Sequence, residues 1–582
     1  MAERRAHRVQ TGYRTPPPVN GVEFNRCYNV RCENFASYPA FDAPKWRARN
    51  KDGYTLGNKG LRAGGTSPVI ICRACGSSAR LVSNLAAVEE EARYWPPLPD
   101  SRGCPDPACE NAKCPVNSRP EKYQRFGLTS SGAQRYRCMA CSRTFSINQN
   151  PLRRLRQPRK TEEVLRLLVN KVPMRRLCEV AGVTAPVLYQ RIGLLYGQLR
   201  SFARAEEERF LGEVQFERLR VAVDRQDHPL AWGSSIDRQT FTLKSTVTAD
   251  TDTGYILAQH VNYDPAENAM QRELEARALG DPEIPAAFRR YARLWLPHEA
   301  EERRKEALAQ SEDRARTAGA ESIGLAGRGA FVHESYTLLA HFLFLRRWFE
   351  RATNVHLSLD QENAIDRVCL LTFADRVRNG SLDAFYVRMD KGLTVAKRRG
   401  EMARTEVLLA EQRTLHPGLT DGQLLRRLLA TNYAAVCQRQ TDPLKRWVPH
   451  PYSTMQEPRR EVLCLTNDGH RTDETIVRGL GLATLRSIDR YFMQVRRKLS
   501  VLERPIRSSA TAWRTWYGYN AYSPRVVMQL LEIFRVVYNF HLVGKDKRTP
   551  AERMGITKRR ITLAELIGVS TLTRSPRTRR TT

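Results

Sequence analysis

The feature that most narrows what this chain can fold into is a duplicated set of four cysteines near its N-terminus. Cys27 and Cys32 have four residues between them, and Cys72 and Cys75 follow with two between. Cys104 and Cys109 repeat the first spacing, and Cys138 and Cys141 repeat the second. The copies also share wording, CENF from Cys32 and CENA from Cys109. A repeated spacing argues that the spacing itself matters. Paired cysteine knuckles bring four thiolates to one tetrahedral Zn2+, and closing such a site stabilises a module too small to bury much core. Cys27, Cys32, Cys72 and Cys75 therefore define a first zinc-ribbon-like module over 21–98. Cys104, Cys109, Cys138 and Cys141 define a second zinc ribbon over 99–148, giving two structural Zn2+ per chain. In the second, YRCMACSRTFS puts the knuckle on a hairpin turn with Tyr136 and Phe145 packing its base. Cys114 is left over and stands as an alternative ligand to Cys104 or Cys109. Cys178, Cys369, Cys437 and Cys464 are isolated and read as core residues.

The flanks are basic. Residues 1–20 are basic and Pro-rich and read as a flexible arm, and 149–160 as a basic linker. Over 161–212 the apolar positions Val164, Leu167, Leu168, Leu177, Val180, Ala181, Val187, Leu188 and Ile192 recur at helical spacing. Gly182 after Ala181, then Thr184 as an N-cap, predicts a tight helix-turn-helix. Its recognition helix runs from Thr184 to Leu194, with Thr184, Gln190 and Arg191 toward a DNA groove. A plain helical pair fits the same residues. The net charge is +33, from 95 Lys plus Arg against 62 Asp plus Glu, which favours polyanionic partners. No run approaches the roughly 20 apolar residues of a membrane span, and MAERRAHRVQ has no apolar signal region. The expected location is the cytoplasm, at the nucleoid, with no membrane partner and free thiols.

The stretch RLRVAVDRQDHPLAWG, Arg218 to Gly233, holds an apolar run that ends in Asp224, which predicts a buried strand presenting one acid. Phe241 to Asp264, broken by the turn-like DTDTG at 250–254, predicts two further strands of a meander. A second acid-tipped strand, Val355 to Leu359, leads into Asp360. Strands that end in Asp bring carboxylates together around metal ions, so this pair is the candidate active site. Helical insertions cover about 265–350 and 395–475, the first of them solvated in its charged part. Further on, Ile488, Phe492, Val495, Leu499 and Leu502 mark one face of a helix that also carries Asp489, Arg496, Arg497 and Lys498. The aromatic cluster Trp513, Trp516, Tyr517, Tyr519 and Tyr522 is expected to pack before a terminal helix, with stacking on an unpaired base as the alternative, and 546–582 reads as a basic tail.

The ordered series RYRCMACSRTFS, helix-turn-helix, AVDRQ, SLDQE, IDRYFMQVRRKLSVLERP and YNFHLVGKDKRTPAERMG resembles bacterial insertion-sequence transposases of the DDE class, over about 104–555. The resemblance implies a multidomain α+β and α/β protein: two zinc ribbons, a helix-turn-helix, and an RNase H-like mixed-sheet catalytic domain over 213–545. It maps the first acid to Asp224, the second to Asp360 and the third, helix-borne acid to Asp489. The family usually has Glu at the third place, which leaves Glu503 as the alternative. Two Mg2+ (or Mn2+) ions per active site, roughly 4 Å apart, would be held by these carboxylates, since hard cations want oxygen ligands. Arg496, Arg497 and Lys498 would meet phosphates. The implied function is a transposase that binds transposon ends and cuts and joins double-stranded DNA, at least as a dimer. The alternative is a DNA-binding regulator of transposase origin that no longer cuts.

Overall fold

The computed structural model describes residues 13–41, 52–60, 66–95, 103–112, 114, 116, 119–129, 134–147, 157, 159–232, 239–299, 329–362, 364–503, 521 and 523–568. The aromatic cluster from Trp513 to Tyr522, most of the 149–160 linker, and residues 1–12 and 569–582 lie outside the described residues. The chain forms two compact units. One comprises 1–94, 215–494 and 505–525, the other 95–214, 495–504 and 526–582.

Each cysteine set closes on a three-stranded antiparallel sheet of the same strand order. The first has β1 (Tyr54–Gly60), β2 (Thr66–Cys72) and β3 (Ser78–Arg80), followed by helix α1 (Asn84–Ala92), whose N-cap Ser83 accepts from the Ala86 N–H. The second has β4 (Tyr123–Leu128), β5 (Gln134–Cys138) and β6 (Thr144–Ile147). Both knuckle turns need a left-handed residue after their last cysteine. Gly76 supplies it at φ 72° and Ser142 at φ 59°. Residues 13–20, expected in a flexible arm, are anchored to the first module instead. Arg14 pairs with Asp52, and the Asn84 amide donates to the carbonyls of Pro16 and Pro17 at 3.2 and 3.1 Å.

Helices α2 (Arg159–Leu168), α3 (Met174–Ala181) and α4 (Ala185–Glu213) follow. Gly182 ends α3 in the left-handed region at φ 60°, and Lys160 donates to the carbonyls of Ala181 and Gly182 at 2.8 and 3.2 Å. Thr184 takes the N-cap position of α4, which continues well past Leu194 to Glu213.

A seven-stranded mixed sheet organises the other unit. Strands β7 (Phe216–Trp232), β8 (Gln239–Asp250) and β9 (Ile256–Val261) make an antiparallel meander. Helix α5 (Ala269–Leu279) and the buried helix α6 (Glu334–Phe349) lead to β10 (Ala352–Asp360), which pairs in parallel with β7. Helices α7 (Ile365–Thr372) and α8 (Ala374–Arg378) cross to β11 (Leu382–Arg388), parallel to β10. Helices α9 (Val395–Leu415) and α10 (Asp421–Arg439) form an excursion before the short strands β12 (Val448–Pro449) and β13 (Glu461–Cys464). The spatial order is β12-β13-β11-β10-β7-β8-β9. The middle of the central strands is apolar, and Val221, Ala222, Val223, Leu357 and Leu359 are fully buried. Helix α6 is apolar nearly all round, as a helix inside a core must be.

The charged segment after β9 is not merely a solvated insertion. Arg293 is buried between Glu90 of α1 and Asp264, at 3.1 and 2.8 Å, and also reaches Glu267 at 2.6 Å. Residues 300–328 within that insertion lie outside the described residues. Helices α11 (Asp473–Leu482) and α12 (Arg486–Lys498) close this part of the chain. The predicted apolar face of α12 is buried at Ile488, Phe492 and Val495, as are Leu499 and Leu502 beyond it. In the second unit α13 (Pro524–Phe540) buries Arg535 against Glu207 of α4 at 3.1 Å. Residues 546–568, expected in a tail, are folded. They carry α14 (Pro550–Met554) and α15 (Leu563–Leu566), with Ala551, Ile556, Leu566 and Ile567 buried. Among the described residues no helix is long and apolar enough to cross a membrane.

Candidate active site and metal centres

Two four-cysteine groups could each hold one zinc. The Sγ atoms of Cys27, Cys32, Cys72 and Cys75 lie within 4.8 Å of one another, as do those of Cys104, Cys109, Cys138 and Cys141. Cys27–Cys75 and Cys32–Cys72 are 3.6 and 3.5 Å apart, and Cys104–Cys141 and Cys109–Cys138 are 3.4 and 3.7 Å. Tetrahedral Zn–S bonds of about 2.3 Å require sulfur–sulfur distances near ~3.8 Å, so the thiols already stand at the edges of such a tetrahedron. Cys114 is outside the group and receives a 3.5 Å hydrogen bond from Lys122.

The surroundings of the thiols repeat as well. The CEN asparagine of each copy, Asn34 and Asn111, donates its amide to the third cysteine, Cys72 and Cys138, at 3.4 Å in both. A buried tyrosine hydroxyl, Tyr54 or Tyr123, accepts from the backbone N–H of the first cysteine at 3.1 Å. It donates in turn to the carbonyl of that same asparagine, at 3.0 and 2.7 Å. These tyrosines were not singled out in the sequence. Their signal is a repeated place, each standing opposite the third cysteine of its set in strand register.

The carboxylate site is made by the end of one strand. Parallel pairing of β7 with β10 runs to Val223 and Leu359, and β10 stops at Asp360. Strand β7 does not stop at Asp224, as its sequence suggested. It continues as a two-stranded ribbon with β8 to the Trp232–Gln239 pair. Asp224 therefore lies where the neighbour on one edge of β7 ends, beside Asp360. Its Oδ1 accepts from the Arg225 N–H at 2.7 Å, and Asp360 Oδ1 accepts from the Gln361 N–H at 3.0 Å.

The third carboxylate within this group is Glu362, whose oxygen lies with those of Asp224 and Asp360 inside 4.8 Å. Glu362 stands two residues past the second acid, in the same SLDQE stretch and beyond the strand end, and is absent from the sequence-derived acids. It pairs with Arg225, which also lies 3.5 Å from Glu334. Asp489, half-buried on α12, is close enough for its charge to act on Asp224 and on Lys391. Glu503 is instead in an ion pair with Lys171 at 2.6 Å, in the second unit.

Burial pushes the Asp224 carboxyl well above the usual carboxylate range, and the neighbouring Asp360 and Asp489 push it further. Lys391 and the Arg225 N–H act the other way. Gln226, on the same face of β7 by strand alternation, is buried, and among the described residues its Oε1 has no hydrogen-bond partner. Clustered acids that repel one another beside an unsatisfied oxygen suit a hard cation, which would lower all these costs together.

The residues expected to meet DNA divide. Thr184 and Gln190 are exposed at the start of α4. Arg191 is not. It is buried at 6% exposure, and its guanidinium donates to the Gln157 carbonyl at 3.2 Å and to Thr161. One turn of helix separates the open face from the packed one, and Arg191 falls on the packed side with Leu188 and Ile192. At the end of α12, Arg497 is exposed, Arg496 and Lys498 are half-buried, and the Lys498 carbonyl accepts from the Lys171 N–H at 2.8 Å. No protein-family model and no curated protein sequence matches the chain.

Proposed function

We propose that this chain is a DDE-class DNA transposase that binds the ends of a mobile DNA element and catalyses metal-dependent strand cleavage and strand transfer. The observation that carries the reading is the convergence of Asp224 and Asp360 where the parallel pairing of β7 with β10 ends, with Asp489 acting on the same place from a later helix. The sheet supports an RNase H-like assignment: its first meander strand, β7, is central, with two later parallel strands beside it and the acid-bearing helix following.

In this reading Asp224, Asp360 and Asp489 hold Mg2+ or Mn2+, with Glu362 in reach as a fourth carboxylate. The bound ions supply charge that activates the attacking oxygen and stabilises the leaving one. The chain's own residues do the positioning. Backbone pairing on β7 and β10 fixes the two strand-borne acids, and the buried setting of Asp224 strengthens every charge interaction made there. Thr184 and Gln190 face a DNA groove, and Arg496, Arg497 and Lys498 take phosphates. Joining two DNA ends calls for at least a dimer on double-stranded DNA, at the nucleoid.

The test is an in vitro reaction on the DNA flanking the gene, with Mg2+, comparing wild type with Asp224→Ala. Cleavage and joining should be lost in the variant by at least about 10³-fold while DNA binding survives. Binding by wild type without any cleavage would identify a regulator of transposase origin, and cleavage by both proteins would remove Asp224 from the active site.

A further inference from the structure

Lys391 sits in the turn after β11, and its Nζ is 3.2 Å from Asp360 Oδ2. It is a cation that faces Asp224 and Asp360, as Arg225 faces Glu362: its charge acts on Asp224, and those of Asp224, Asp360 and Asp489 act on it. The backbone beneath it is pinned. The Lys391 N–H donates to the Met389 carbonyl at 3.1 Å, and the Lys391 carbonyl accepts from Arg398 at 2.9 Å. Arg398, on α9, also donates to the carbonyls of Leu393 at 2.9 Å and Met455 at 3.0 Å, so one guanidinium ties the turn at two points and joins it to the Met455 segment. The side chain itself is 57% exposed. A rigid base thus carries a long, solvent-accessible arm whose charged tip reaches the carboxylates.

An ammonium and divalent cations cannot share these oxygens, because like charges a few ångströms apart repel strongly where water is partly excluded. With ions on the acids, the Lys391 tip must swing away from Asp360 while its backbone stays fixed. The anion then closest to the site is the DNA strand bound over it. We infer that Lys391 is a positioning residue with two partners: Asp360 in the metal-free protein, and a phosphate oxygen of the bound DNA strand once divalent cations occupy the carboxylates. This rests on the transposase reading.

The experiment compares full-length wild type, Lys391→Met and Lys391→Arg. Mn2+ binding without DNA is followed by electron paramagnetic resonance. Affinity for a duplex of the flanking DNA is followed over a salt series, in Mg2+ and in EDTA. Lys391→Met should bind Mn2+ about tenfold more tightly, because the competing ammonium is gone. In Mg2+ its log-affinity against log-salt slope should be shallower than wild type by about one, the loss of one phosphate contact, and Lys391→Arg should restore it. In EDTA the three slopes should coincide. A wild-type slope for Lys391→Met in Mg2+ overturns the inference while leaving the transposase reading standing. Absence of Mn2+ binding by wild type overturns both.

Discussion

The two four-cysteine modules have the same interior and opposite surroundings. Each has an asparagine donating to the third thiol and a tyrosine wedged under the first cysteine. The first is locked into the large sheet's unit. Arg26 donates to the Leu371 carbonyl, the Ser83 N–H donates to Tyr336 at 3.0 Å, and Glu90 of α1 is buried against Arg293. Tyr94, just past α1, stacks on His260 with ring centres 3.6 Å apart, and His260 meets His341 at 2.9 Å. The second module turns its sheet outward. On β4 only Tyr123 is buried, while Phe126 and Leu128 are exposed at 42% and 65%, with Arg125 and Arg137 beside them. One four-cysteine core therefore serves once as a buttress and once as a surface module, and the difference lies in what its outer residues touch.

The strongest way to break this comparison is to remove one zinc at a time. Cys72→Ser and Cys138→Ser should each reduce bound zinc from two per chain to one, measured by elemental analysis. Cys72→Ser should also destabilise the sheet-bearing unit by several kcal/mol (on the order of half the Zn2+ binding free energy), whereas Cys138→Ser should leave that unit's unfolding transition in place and weaken DNA binding. Equal effects on the large unit would mean that the first module is no buttress.

Next in size is the buried charge hub. Arg293→Met removes the buried cation that Glu90, Asp264 and Glu267 share, leaving Arg93 to Glu90 and Arg272 to Glu267, and the expected loss is about 3–5 kcal/mol in chemical denaturation. A change under about 1 kcal/mol would show that α1 is held by apolar packing alone.

The histidine contact gives a pH signature. Burial pushes His341 down from 6.5 to about 3. Its neutral form is therefore favoured on folding, so its contribution is present above pH 6.5 and is lost as pH falls from 6.5 toward about 3. The loss should be on the order of a few kcal/mol in thermal melts. His341→Gln should flatten the profile in that window, and an unchanged slope would remove His341 from the account.

The smallest effects should be equal in the two modules. Asn34→Ala and Asn111→Ala each delete one donor to a thiolate, and each should weaken zinc binding roughly 10–100-fold in chelator competition. A large effect in one module alone would mean that the shared interior is not functionally shared.

Much of this architecture was legible in the chain. The cysteine sets, the strand that ends at Asp360, the Gly182 stop before α4 and the buried face of α12 all follow from spacing and local propensity. What spacing could not reach was pairing across sequence distance. Glu362 joins Asp224, Lys391 reaches Asp360 and Arg26 meets Leu371 only because crossovers and strand register bring them together. Arg191 shows the same limit on one helix. Its residue type suits DNA, but the packing of α2 beside it decided that it would be buried.

The sequence by itself determined which residues are metal-type ligands and which local elements carry them, because periodicity, caps and thiol spacing act over a few residues. Only the tertiary structure decided where β7 loses its neighbour, which places Asp224 beside Asp360. It also decided that one cysteine module is embedded and the other exposed. Those outcomes depend on contacts between segments tens to hundreds of residues apart, and the free energy that selects them comes from burial and charge pairing that no local stretch contains.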